Sequence, residues 1–258
     1  MKKSVFCIVL CLISLGMNNS AFGHFGMVIP SDSMVMPGES KTVKLTTSFS
    51  HPMEVVGMEM ERPAQFGVVT RGTKKGLIEA IKETKVMGHK AWSIDYQIKR
   101  PAVYTFYLEP IPYWEPAEDC YIVHYTKTVI SAFGMEEGWD EPVGLKTEII
   151  PLTRPFGLYA GNVFQGIVMV EGKPVPYAEV EVEYYNKDRK AKAPTDCMVA
   201  QVTKADSNGV FTYAVPRAGW WGFAALTTSD KKLKYKGEDK NVELGAVIWV
   251  EFQDWKEK

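Results

Sequence analysis

Four histidines are the side chains in this sequence best suited to chemistry: His24, His51, His89 and His124. All four lie in the first half of the chain, and no histidine follows residue 124. The nitrogen of a neutral imidazole is a good ligand for first-row transition metals. The histidines therefore predict a metal site built by the N-terminal part of the chain.

His24 gains a second donor atom if the chain is processed. Residues 1–23 have the order of a secretory signal peptide, with two lysines, a short apolar run and the small-residue triplet Ala21-Phe-Gly23. The apolar run is too short to span a bilayer, so we expect cleavage to release a periplasmic protein that is not inserted in the membrane. His24 would then offer its ring and an α-amine with a pKa of about 8. Such a chelate suits Cu(II) or Ni(II).

Three further residues are candidate ligands beside His24. His51 directly follows a predicted strand, and the turn after it could bring Glu54 to face the same point. His124 lies within the predicted strand 121–130, on the face that carries Thr126. Each of these histidines could instead be a surface residue, and His24 could belong to a frayed terminus. His89 is predicted to face solvent in a loop.

Methionines crowd the same part of the chain. Thioether sulfur favours Cu(I), so copper is an alternative to nickel or cobalt. Methionine also fills irregular cores, and for Met58 and Met60 a core position is the preferred interpretation. The seven early methionines are Met27, Met34, Met36, Met53, Met58, Met60 and Met87.

Strand signals dominate the rest of the sequence and predict an all-β protein. The clearest runs combine β-branched and aromatic residues with alternating polar ones. Residues 74–85 are the one stretch with an amphipathic helical pattern. The clearest predicted strands are 41–49, 103–108, 121–130 and 178–184.

The composition excludes several classes of function. The formal net charge is −1, and loss of Lys2 and Lys3 with the signal would make it more negative, which argues against nucleic acid as a partner. No nucleophile elbow, zinc-protease or phosphate-loop motif occurs, so we expect a binding protein and not an enzyme. Cys120 and Cys197 could form a disulfide in an oxidising compartment, which the sequence leaves open.

A segment rich in proline and glycine, 151–161, divides the chain. We predict a signal peptide at 1–23, an N-terminal β domain at 24–158 that holds the metal site, and a C-terminal β-sandwich at 159–258. The C-terminal part contains a Gly-Lys-Pro-Val turn at 172–175 and an Asp-Ser-Asn-Gly-Val-Phe stretch at 206–211. It resembles the immunoglobulin-like or prealbumin-like sandwich of carboxypeptidase-regulatory modules, which would serve here as a spacer or docking module.

Several segments together resemble one bacterial family. They are His24-Phe-Gly-Met-Val-Ile-Pro30, Phe49-Ser-His-Pro-Met-Glu54, His124-Tyr-Thr-Lys-Thr128, the run from Phe133 through Trp139, Pro151-Leu-Thr-Arg-Pro155 and Gly161-Asn-Val-Phe164. The family is periplasmic and of formally unknown function, and is often labelled a nickel or cobalt uptake accessory component. Ser50 departs from its pattern, because a glycine commonly precedes the second histidine.

The resemblance implies that His24 and the turn from His51 to Glu54 face the metal, with His124 as a weaker candidate. It also implies nickel or cobalt as the ion and a membrane metal-uptake transporter as the partner. Two other functions stay open from the residues alone. One is a copper carrier or a copper-dependent polysaccharide oxidase, and the other is an adhesion or assembly module in which the histidines bind nothing.

Overall fold

A computed structural model describes residues 23–256, and its regular structure there is almost entirely β. The all-β prediction is confirmed. The predicted signal peptide lies, except for Gly23, outside the described residues. Within the described range no helix is long and apolar enough to cross a membrane.

The chain forms short and long strands joined by turns. The strands before residue 133 are β1 Phe25–Pro30, β2 Met34–Val35, β3 Thr42–His51, β4 Val56–Met58, β5 Gln65–Thr70, β6 Thr73–Gly76, β7 Lys82–Val86, β8 His89–Gln97, β9 Ala102–Glu109, β10 Tyr113–Glu115 and β11 Cys120–Ala132. The later strands are β12 Thr147–Pro151, β13 Leu158–Tyr159, β14 Val163–Val170, β15 Lys173–Pro174, β16 Glu179–Tyr184, β17 Ala200–Lys204, β18 Val210–Ala214, β19 Gly219–Thr228, β20 Leu233–Tyr235 and β21 Glu238–Gln253. Two 3-10 turns span Ile78–Ala80 and Asp196–Met198.

Three sheets form two β-sandwiches. A shared sheet runs in the order β17-β16-β19-β21-β11-β9-β5-β6, with β2, β10, β13 and β20 paired to its members. A small sheet, β1-β3-β8-β7 with β4, covers one half of the shared sheet around a core that includes Leu45, Phe66 and Phe106. An outer sheet, β12-β14-β15 with β18, covers the other half around Phe164 and Phe223.

The two sandwiches meet where β11 and β21 pair in parallel. Nine residues of β11, from Cys120 to Thr128, pair with the residues of β21 from Asn241 to Trp249. The hydrogen-bonded sheet is therefore continuous across the predicted division at residue 158. β12 lies before that division and pairs with β14 after it, while β13 spans the division and pairs with β21.

The helix predicted at 74–85 is wrong. These residues form β6, the 3-10 turn Ile78–Ala80 and most of β7. Leu77 and Ile81 are four residues apart, as on one helical face, and both are buried. They reach the core from the two ends of the 3-10 turn. The backbone hydrogen bonds on either side of the turn are made by strand pairing, of β6 with β5 and of β7 with β8.

β1 is held between the two sandwiches, which fixes the position of the residues at its start. Phe25 and Met27 pack with Val247 and Trp249 in one apolar cluster. The Trp249 indole Nε1 also donates a hydrogen bond of 2.8 Å to the carbonyl oxygen of Gly26. Alternate residues of β1 face opposite sides, and both sides are buried. His24, one residue before β1, is therefore held close to a rigid strand.

Candidate metal centre

His24 and His51 lie against each other, although 27 positions separate them in the sequence. Their ring centroids are 4.6 Å apart and the rings are tilted by 50°. Two imidazoles that bind one ion at a right angle, each nitrogen about 2 Å from it, have centroids roughly 4.5 Å apart. The spacing of these two rings, called the imidazole pair below, therefore fits one metal ion.

His51 faces the peptide group that links residue 23 to His24. Its Nδ1 atom lies 3.1 Å from the carbonyl oxygen of Gly23. Signal cleavage is predicted at this same peptide bond, and the α-amine of His24 would take the place of the amide. The geometry thus brings the site of the predicted amine and the second imidazole together.

Two glutamates lie against the His24 ring, namely Glu115 at the end of β10 and Glu118 in the turn between β10 and β11. Glu115 Oε2 lies 3.1 Å from His24 Nε2, and each of these side chains is only 11% exposed. Glu118 Oε1 lies 3.7 Å from His24 Nδ1. A carboxylate that holds one ring nitrogen orients the ring and raises the basicity of the other.

Burial keeps the imidazole pair neutral. The pKa of His24 is lowered to about 4, mainly by burial and then by His51 and His124, while Glu115 and Glu243 oppose the shift. Burial also lowers the pKa of His51, against the effects of the Gly23 carbonyl and Glu115. Metal ions bind the neutral form of imidazole, so at neutral pH neither ring has to lose a proton first.

His124 is buried beside the imidazole pair, but both of its ring nitrogens have protein partners. Its Nδ1 accepts a hydrogen bond of 3.3 Å from the backbone N–H of Gly26, and its Nε2 lies 3.2 Å from Glu243 Oε1. Phe49 lies between the rings, with its centroid 5.7 Å from that of His24 and 5.6 Å from that of His124. This hydrogen bonding suits a residue that supports the site.

Two glycines make room for His124. A Cβ atom on Gly245, its pairing partner on β21, would overlap the His124 ring. A Cβ atom on Gly26 would overlap the hydroxyl oxygen of Thr126 and lie 3.0 Å from the Cβ of His124. Glycine inside a strand often marks such a close approach.

The turn after His51 is hydrogen-bonded to β16 and the residues after it. β16 belongs to the sandwich that includes the outer sheet, called the second sandwich below. The Met53 amide donates a hydrogen bond of 2.8 Å to Glu183 Oε1, and the Asn186 side chain donates one of 3.0 Å to the Met53 carbonyl. Glu54 is in this turn. Burial and Asp196 raise its pKa, and it acts electrostatically on Glu183. Glu54 thus belongs to an acidic group contributed largely by the second half of the chain.

The structure adds acidic residues that the sequence did not single out as site residues. Burial raises the pKa of Glu181, and the nearby carboxylates of Glu243, Glu179 and Glu118 add to the shift. Glu115 and Glu118 stand just before the strand that contains His124, which is the one local signal that could have found them. The five missed residues are Glu115, Glu118, Glu181, Glu183 and Glu243.

An apolar cavity of about 320 Å³ opens next to the site. His124 and Phe49 form part of its wall, and Ile111, Tyr113 and Trp114 form another part. The cavity gives the buried imidazoles a neighbouring space that is lined mainly by apolar groups.

The remaining candidates lie elsewhere or pack in the core. His89 is at the start of β8, with Nδ1 3.1 Å from Glu59 Oε1 and its side chain 42% exposed, which agrees with the predicted solvent exposure. Five of the early methionines pack in or against apolar clusters, and Met36 is exposed. These five are Met27, Met34, Met58, Met60 and Met87.

The protein ligands alone do not complete a metal site. Between residues 23 and 256 no group of three or more histidine, cysteine, aspartate or glutamate side chains is arranged to hold an ion. Cys120 and Cys197 are free thiols. Burial and the neighbouring Glu118 raise the pKa of Cys120 to about 11. Cleavage at the predicted position would add the α-amine of His24 as a third nitrogen donor at the imidazole pair.

The fold and the site define a two-sandwich β protein with a buried, acid-lined imidazole pair at the start of its first strand. The chain belongs to the family described as a domain of unknown function, DUF4198, whose model matches residues 21–229. The predicted membership of a family of unknown function is thereby confirmed. No curated protein matches the sequence.

The solved structures that match this chain share little sequence identity with it. The D0-D1 domain of intimin is 11% identical, with coverage of 87% of this chain and 99% of that one and a TM-score of 0.24. A two-domain fibronectin type III segment of chicken tenascin is 12% identical, with coverage of 87% and 98% and a TM-score of 0.22. The fibronectin(III)-like modules of Clostridium thermocellum CbhA are 8% identical, with coverage of 90% and 100% and a TM-score of 0.22.

Proposed function

We propose that this protein binds a divalent transition metal ion, nickel or cobalt, in the periplasm and delivers it to a membrane uptake transporter. The observation that carries the proposal is the geometry at residue 24. His51 lies 4.6 Å from the His24 ring, centroid to centroid, and faces the peptide bond at which cleavage is predicted. Cleavage there gives three nitrogen donors, namely one amine and two imidazoles.

The surrounding charge supports binding of a cation. Glu115 and Glu118 lie within 4 Å of the His24 ring, and Glu243 lies beside His124. Carboxylates around a buried site attract a divalent cation and disfavour anionic ligands. The lowered pKa values of both imidazoles favour the protonation state that binds metal.

The donor set supports nickel or cobalt over Cu(I). Nitrogen and oxygen donors surround the proposed ion, whereas the thioethers that would favour Cu(I) lie largely in apolar clusters. Cu(II) accepts the same nitrogen donors, so a copper carrier or a copper-dependent polysaccharide oxidase is the rival function.

Calorimetric titration of two forms of the chain tests the proposal. The mature chain begins at His24, and an extended chain begins at Ala21 and so carries an amide in place of the terminal amine. We expect the mature chain to bind nickel or cobalt at least 100-fold more tightly, because even loss of a group that only orients a ligand costs roughly 10- to 100-fold.

Two substitutions in the mature chain complete the test. His51→Ala should reduce affinity at least as much as the extension does, and His89→Ala should leave it unchanged. Tight binding that survives both the extension and His51→Ala would contradict the proposed site. Copper binding accompanied by oxidative release of sugars would support the oxidase, and no metal binding by the mature chain would support the adhesion or assembly module.

A further inference from the structure

Glu183 of β16 presents a buried carboxylate oxygen to the beginning of the described chain. The residue is fully buried, and its Oε1 accepts the hydrogen bond from Met53. Its Oε2 is buried and has no hydrogen-bond partner among residues 23–256. Leaving a buried polar oxygen unpaired costs free energy, so such an atom marks a place where a partner is expected.

The unpaired oxygen points toward Gly23. A Cβ atom built on Gly23 would lie 3.0 Å from Glu183 Oε2 and 2.7 Å from Glu181 Oε2. Glu181 and Glu183 are two residues apart on β16, so their side chains share one face of the strand. The two carboxylates therefore converge on the residue that immediately precedes His24.

Both carboxylates lie in an environment that disfavours negative charge. Burial raises the pKa of Glu181 to about 7, with Glu243 and Glu179 adding to the shift. Burial raises the pKa of Glu183 well above the ordinary range, with Glu54 and Glu181 adding to it. A cation placed between the two side chains would remove this penalty.

We propose that Glu181 and Glu183 form a binding site for the α-ammonium group of the mature chain that begins at His24. The proposal rests on the same predicted cleavage after Gly23 as the proposed function, but it does not require metal. Removal of Gly23 clears the space in front of the carboxylates and leaves the new ammonium one peptide unit away. Hydrogen bonds between an ammonium and a carboxylate are short and strong.

Such a salt bridge would assemble the site across the two halves of the protein. The second sandwich would hold the first residue of the mature chain, and the same β16 already holds the turn after His51 through Met53 and Glu183. The terminal residue would thus be fixed beside His51 before an ion arrives, and binding of an ion through the α-nitrogen would release the ammonium proton to solvent.

Thermal unfolding of chelator-treated protein tests the salt bridge, because Glu183→Gln should change the melting temperature in opposite directions in the extended and mature chains. In the extended chain that begins at Ala21, Glu183→Gln removes an uncompensated buried carboxylate and should raise the melting temperature. In the mature chain the same substitution removes the partner of the ammonium and should lower it. We expect a shift of about 2–4 °C in each direction, the size typical of a modest change in a chain of this length.

The matched control is Glu83→Gln, an exposed residue on β7 at which the same substitution should have an equal effect in the two chains. A shift of the same sign for Glu183→Gln in both chains would overturn the proposal. A crystal structure of the mature chain gives a second measurement, in which the α-nitrogen should lie within about 3.2 Å of a carboxylate oxygen of Glu181 or Glu183. Separation by more than about 4 Å from both would also overturn it. Because metal is absent throughout, failure of metal binding would leave this result intact.

Discussion

Glu115 Oε2 and His24 Nε2 lie 3.1 Å apart, with both side chains largely shielded from water. This contact engages Nε2 of the ring, while Nδ1 lies 3.7 Å from Glu118 Oε1. Nδ1 is the ring nitrogen that could bind an ion together with the α-amine of the same residue.

Replacing Glu115 should therefore weaken metal binding without abolishing it. Glu115→Gln keeps the size of the side chain but removes its charge, so we expect the affinity of the mature chain for nickel to fall roughly 10- to 100-fold. Calorimetric titration measures the change. Glu109→Gln is the control, because it makes the same change of side chain at the end of β9, a strand that also pairs with β11. Equal affinities for the Glu115 variant and the unchanged chain would show that the contact does not orient His24.

The pKa of His24 predicts a loss of stability in acid. Its pKa is about 4 in the folded chain, against 6.5 for an ordinary histidine. Since the folded value is lower, the stabilising contribution of the neutral ring is complete above pH 6.5 and is lost as the pH falls toward 4. The contribution is on the order of 3 kcal/mol.

Denaturant unfolding of the extended chain between pH 7 and pH 4 measures this contribution. His24→Gln does not titrate, so its free energy of unfolding should fall less steeply with decreasing pH than that of the unchanged chain. Parallel curves for the two proteins would contradict the lowered pKa.

A buried ion pair joins β11 to β12. Lys127 Nζ lies 2.7 Å from Glu148 Oε2, and both side chains are almost completely buried. Glu148 also accepts backbone hydrogen bonds from Val143 and Gly144. Loss of one partner from a buried pair typically costs about 3–5 kcal/mol.

The two single substitutions at this pair should differ in cost. After Lys127→Met, Glu148 keeps two backbone donors, whereas Glu148→Leu leaves the Lys127 ammonium without its carboxylate and leaves two amides unpaired. We therefore expect Glu148→Leu to reduce the free energy of unfolding more than Lys127→Met does. Denaturant unfolding at pH 7 gives both values, and the reverse order would refute this assignment of roles.

Gly245→Ala should destabilise the protein through His124. The added methyl group would overlap the imidazole ring, and crowding of this kind typically costs about 1–3 kcal/mol. Gly76→Ala is the control, since a Cβ atom there meets nothing within 4 Å. If the clash is the cause, His124→Ala should lower the free energy of unfolding less in the Gly245→Ala background than it does alone. Strictly additive effects of the two substitutions would exclude the clash as the cause.

Local patterns in the sequence predicted the strands, and they predicted His24, His51 and His124 as site candidates, because these signals lie within a few residues. The helix at 74–85 failed because the spacing of Leu77 and Ile81 suits either a helix or a turn between two strands. Glu181 and Glu243 could not be found this way. Each is brought to the site by pairing between strands distant in sequence, which one sequence does not reveal.

The parallel pairing of β11 with β21 has a consequence for fragments of this protein. The family match ends at residue 229, whereas β21 begins at Glu238. A fragment cut at residue 229 would lose the strand between β11 and β19 and, with it, Glu243 and Gly245 beside His124. The edges of β11 and β19 that pair with β21 would then be unpaired and could pair with strands of other chains. Such a fragment should therefore aggregate.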